Sequence, residues 1–173
     1  LKRDNMEARE VSLLSGEVPD DADVLAVVGP TRPLTAAEID VLDAHLDRGG
    51  RVLVAIDPLI ETDGTMRTTR LEDLLAGRGV LVGDDLVVDP SRKLPFFDLS
   101  AVYLTDFVEH PMTTGLEGVA VLFSVTRSLL TDSDDARVLV ETSAEGWGES
   151  DLGMLLRGDP VVFDDGVDTA GPV

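Results

Sequence analysis

One segment limits the fold of this chain more than any other, residues 23–58. Val24-Leu25-Ala26-Val27-Val28 is an unbroken apolar run closed by Gly29-Pro30, which predicts a buried strand. After Thr31-Arg32-Pro33 the helix signals agree with one another. Thr35 can cap, Glu38 three residues on completes a capping box, and Leu34 with Ile39 makes a hydrophobic staple. Ile39, Leu42 and Leu46 share one helical face, Asp40, Asp43 and Asp47 share another, and Gly49-Gly50 stops the helix. Arg51 to Ile56 then reads as a second buried strand, ended by Asp57-Pro58. Strand, helix and strand in so short a span predict a parallel pair with a right-handed crossover.

The rest of the chain carries weaker signals. A helix is expected over residues 70–78, with Thr69 and Glu72 as a second capping box and Gly79 as its stop. Short strands are expected at residues 80–82 and 86–88 around a Gly83-Asp84-Asp85 turn, and again at 119–125, 137–141 and 160–163. Residues 90–109 read as a long loop. Aromatics are only 4% of the chain, so the core must be aliphatic, as in a parallel sheet covered on both faces. The expectation is one α/β domain over residues 1–173, a mostly parallel sheet flanked by helices.

Charge narrows the partners. Against 14 basic residues stand 34 acidic ones, for a formal net charge of −20. Such a surface repels phosphate backbones and anionic headgroups, so no nucleic-acid partner is expected. Lysine occurs only at Lys2 and Lys93, a balance that suits high salt or simply an acidic protein. No run of about 18 apolar residues occurs to span a membrane.

Several chemistries lack their residues. There is no cysteine, which removes disulfides, thiolate metal sites and cysteine nucleophiles. No G-x-x-x-x-G-K-[ST] loop and no G-x-S-x-G elbow is present, and the prolines after the first strand remove amides that a pyrophosphate would need. His45 reads as a surface residue of the acidic helix, and the two histidines are too far apart in sequence to suggest a zinc site. Asp132-Ser133-Asp134-Asp135 and Asp164-Asp165-Gly166-Val167-Asp168 could hold calcium, but the first lacks the required glycine and final glutamate, and both read as solvated loops. No catalytic residue, metal ligand or cofactor is assigned. In open α/β sheets ligands bind past the carboxyl ends of strands, which singles out Arg32 and Asp57 as binding candidates. Their plain readings are a solvated loop charge and a turn residue before Pro58. His110, before Pro111, is the third candidate, with a structural hydrogen bond as the plain alternative to acid/base work.

The order of several stretches resembles the gliding-motility auxiliary family of ABC-type transport systems. They are Leu14 to Leu25, Gly29-Pro30 with Arg32-Pro33-Leu34, Gly49-Gly50-Arg51 through Asp57-Pro58, Leu71-Glu72-Asp73-Leu74-Leu75, Gly83 to Pro90, His110-Pro111-Met112-Thr113 and Phe163 to Pro172. The resemblance implies a flavodoxin-like, glutamine-amidotransferase-like domain of a longer membrane-anchored protein, cut short at both ends. In this reading Leu1 to Arg9 ends a helix. It also implies an extracytoplasmic (periplasmic) auxiliary role beside ABC permease and ATPase subunits, with no reaction of its own. Exposed sheet edges would favour a homodimer of the fragment. A carboxylate-based hydrolase acting on a glycan is the alternative, weakened by the single Trp147 and single Tyr103 available as sugar platforms. A calcium-stabilised structural domain is a third.

Overall fold

A computed structural model describes residues 6–173 and divides the chain into two compact units. The first runs to Ile56 and takes back Thr69–Leu74; the second holds Asp57–Thr68 and Leu75–Val173. Of the expected helix end at residues 1–9, the first five lie outside the described residues, and Met6 to Arg9 are not helical.

In the first unit β1 (Leu25–Val28) and β2 (Val52–Ala55) pair in parallel, Leu25 opposite Val52 and Val28 opposite Ala55. Helix α1 (Ala36–Asp47) is the crossover, and a short 3-10 turn, Leu13–Ser15, precedes β1. Helix α2 (Leu71–Ala76) begins in this unit; Leu71 and Leu74 join Val18, Leu25, Leu34 and Leu42 in its core. The strands are not buried on both faces as expected. Val27, Val52 and Val54 pack on the core, whereas Val28 and Leu53 on the opposite face are 67% and 54% exposed. Only one face is covered, so the two-residue period of a strand reappears in its burial.

The second unit departs furthest from the expected α/β fold. Strand β4 (Leu86–Val88) pairs antiparallel with β8 (Trp147–Glu149), which pairs antiparallel with β9 (Thr169–Ala170). Strands β5 (Ala101–Leu104) and β6 (Val121–Ser124) form another antiparallel pair, and β3 (Leu81–Val82) with β7 (Leu129–Leu130) a third. The short helix α3 (Leu152–Arg157) follows β8. A mostly parallel, flavodoxin-like sheet is therefore overturned: among the described residues β1–β2 is the one parallel strand pair. The physical reason lies in the connections. Parallel pairing needs a crossover of a dozen or more residues, usually helical; the 12-residue α1 supplies one between β1 and β2, whereas the connection from β8 to β9 carries only the 6-residue α3 and those strands run antiparallel. Two apolar clusters fill this unit, one of Val87, Val102 and Leu104, the other of Val88, Trp147 and Val161.

Two expected strands do not form. Residues 137–141 contribute a single bridge, Phe107 with Val140, and residues 160–163 are irregular around buried Val161. Conversely β5 lies inside the expected loop at 90–109.

Candidate functional site

The polar residues of each unit must be placed before anything is assigned to a site. At the start of α1 the capping box is complete: the Thr35 hydroxyl accepts from the Glu38 N–H at 3.3 Å, and the Glu38 carboxylate accepts from the Thr35 N–H at 2.7 Å. Arg32 adds a two-pronged clasp on the same carboxylate, at 2.8 and 3.1 Å, and a bond to the Pro33 carbonyl at 2.9 Å. The guanidinium, the Thr35 amide and the Thr35 hydroxyl together hold the Glu38 carboxyl down at about 2. Arg32, proposed from sequence as a binding residue, thus has a local partner in the helix start.

His45 is buried, not on the surface as expected: it is 8% exposed, and its Nε2 has no hydrogen-bond partner. It packs over Gly50, where a Cβ would stand 2.2 Å from Nε2. The helix-stopping glycine pair leaves the room that lets the imidazole fold inward.

In the second unit the acids of the Gly83-Asp84-Asp85 turn are structural. Asp85 is 2% exposed and accepts from the Ser128 N–H at 2.9 Å, the Ser128 hydroxyl at 2.7 Å and the Thr169 hydroxyl at 2.7 Å. Arg127 donates to the Gly83 carbonyl at 2.7 Å and to Asp84 at 2.8 Å. Asp89, fully buried, accepts from the Ser91 N–H and from both the N–H and hydroxyl of Ser143. Buried carboxylates are tolerated when their lone pairs meet donors, and here serine and threonine provide them.

Asp57 is exposed in the second unit. His110, also there, uses Nδ1 to accept the Met112 N–H at 3.2 Å, while its carbonyl takes the Thr113 and Thr114 N–H groups. Neither residue lines the cavity described next. The acidic loops serve as turns: Asp168 accepts from the Ser150 and Asp164 N–H groups. Among the described residues no group of three or more His, Asp or Glu is placed to hold a metal ion.

One concave feature of the second unit is an apolar groove of about 620 Å³. Val87, Val102, Leu104 and Phe123 form part of its lining, and the segments 126–131 and 136–142 complete it with Pro172 and Val173. Two of its hydroxyls are turned to the chain itself, Thr131 donating to the Gly79 carbonyl and Thr142 accepting from the Val173 N–H. Exposed Arg137 and Glu141 supply charge. A volume in this range with an aliphatic lining suits the apolar part of a ligand or partner. Little in the sequence points to it. Val138-Leu139-Val140 reads as a strand, yet only Val140 finds a bridge partner, and Val138 is left 40% exposed on the groove.

Residues 2–163 match the family described as ABC-type uncharacterized transport system, and the chain belongs to that family. No curated protein sequence matches it. Among solved structures, the mmIFT52 N-terminal domain is similar with a TM-score of 0.61 and 21% identity, over 83% of this chain and 63% of that one. The chain therefore spans less than two thirds of that domain, and the likeness is one of fold alone.

Proposed function

From this membership, we propose that the chain is a non-catalytic, extracytoplasmic auxiliary module of an ABC-type transport system, recognising a partner subunit or the transported substrate. The family match supports the transport role at the coarser level of an auxiliary component. The observation that carries the recognition role is the apolar groove, which offers shape and apolar surface. A carboxylate hydrolase gains nothing from the two most buried aspartates, since Asp85 and Asp89 are each held by backbone and hydroxyl donors of their own unit. Among the described residues no helix is long and apolar enough to cross a membrane. Asp57, exposed after β2, is proposed as an additional partner contact.

Co-purification from detergent-solubilised membranes tests the reading. An ABC permease and its ATPase are expected with the wild-type protein. A Val138→Asp variant, which puts a charge on the groove, is expected to keep its fold and to lose either the partner or the substrate. Absence of both subunits from the wild-type preparation overturns the transport reading; full retention of partner and substrate by the variant removes the groove from it.

A further inference from the structure

At one end of the β5–β6 pair the backbone is strained to hold apolar side chains in solvent. Leu94-Pro95-Phe96-Phe97 is a turn closed by the Phe97 N–H on the Leu94 carbonyl at 3.2 Å. Pro95 fills its second position, and Phe96 its third at φ 71°, the place and conformation where such turns use glycine. The Phe96 side chain is 106% exposed, so no packing within the chain offsets the strain. Phe97 beside it is 56% exposed.

A second observation points the same way. Val125, directly after β6, sits at φ 54°, an outlier conformation for a β-branched residue, and is 43% exposed. Its N–H donates to the Ser100 carbonyl, and the Ala101 N–H to the Asp98 carbonyl, so the aromatic turn leads into the sheet end where Val125 lies. Among the described residues three non-glycine positions have positive φ, and two of them, Phe96 and Val125, lie within five residues along the chain of this end of the β5–β6 pair. The chain has five phenylalanines, and two are displayed on this turn.

We propose that the Phe96-Phe97 turn, with Val125 beside β6, is a docking knob that enters an apolar pocket on a protein subunit. Charge selects the occupant. A chain of net charge −20 is repelled by an anionic bilayer and by a second copy of itself, and exposed Lys93 and Asp98, one on each side of the turn, balance each other around it, which suits an apolar protein pocket. Aromatic side chains standing free of their own protein are the usual anchors of such contacts. The inference rests on the transport reading for the identity of that subunit, a transporter component.

The decisive variant is Phe96→Gly, because glycine is at home at this φ and the fold is relieved, not threatened. Intact protein is purified from detergent-solubilised membranes as wild type, Phe96→Gly, Phe97→Ser and, as a control, Val162→Ser, an exposed apolar position elsewhere at 79%. Expected is recovery of permease and ATPase by the wild type and the control, with a loss of about tenfold or more in both turn variants. Thermal melting of Phe96→Gly is expected at or above the wild-type temperature. Undiminished recovery by both turn variants overturns the knob and leaves the transport reading standing. Failure of the wild type to recover either subunit overturns both. Binding of the wild type, but not Phe96→Gly, to phosphatidylglycerol vesicles assigns the turn to lipid and overturns a protein occupant.

Discussion

The two units use carboxylates in opposite ways. In the first, Glu38 draws all its named partners, Arg32 and Thr35, from within six residues along the chain. In the second, Asp85 is held by residues 43 and 84 positions away, Ser128 and Thr169. The first arrangement is nearly complete once a helix starts; the second exists only after distant segments have met. A local acid therefore reports on one element, and a long-range acid on the folding of a whole unit.

Removing each acid's partners or the acid itself sharpens this contrast. Asp85→Ala leaves one buried amide and two hydroxyls without an acceptor, and the loss on denaturant unfolding should be about 3 kcal/mol or more. A loss under about 1 kcal/mol would break the distinction between the units. Gly50→Ala drives a Cβ into the His45 ring and should cost about 1–3 kcal/mol, read the same way. Thr35→Ala removes one cap and should cost about 1 kcal/mol, with α1 otherwise intact by circular dichroism.

Acid titration separates the cap from the rest of the chain. The Glu38 carboxyl is lowered in the folded state from its ordinary 4.5 to about 2, chiefly by Arg32 and then by Thr35. Its contribution is therefore fully present above about pH 4.5 and is lost as the pH falls toward 2. The difference in stability between wild type and Glu38→Gln should shrink across that window; a constant difference would remove the carboxylate from the effect. Smallest is Arg32→Ala. Its guanidinium is 60% exposed, so the loss should stay below about 1 kcal/mol and fade in 1 M salt, measured by unfolding at two ionic strengths.

The same division between local and distant explains what the sequence could disclose. The unit around α1 was legible because its signals are neighbours: Thr35 with Glu38, Leu34 with Ile39, and Gly49-Gly50 as the stop. Less legible was whether β1 and β2 were covered on both faces, since an apolar run looks alike either way; Val28 and Leu53 show they are not. His45 lies on the buried face of α1, three residues after Leu42 and seven after Glu38, with room left by the missing Cβ at Gly50; the acidic neighbours Asp43 and Asp47 mask that phase in the sequence. Strand β8 was invisible. Trp147-Gly148-Glu149 lacks a strand's pattern, and its burial follows from the Trp147 indole donating to Glu149 and from Gly148 lying against Asp85. Of the candidate residues, Arg32 belongs to the helix cap and His110 to its own turn, while the groove is built from segments that had no reason to be read together.

The space around Asp85 has a further consequence, for descent. A Cβ on Gly148 would lie 2.2 Å from the Asp85 carboxylate, and one on Gly83 2.2 Å from the Ser128 hydroxyl. These positions cannot drift singly. A lineage that keeps the aspartate is bound to both glycines, and one that shortens it to serine or alanine releases Gly148 first. Among related chains, Gly83, Asp85, Ser128 and Gly148 should be inherited as a block, and a break in that block would mark where the second unit has been rebuilt around a different centre.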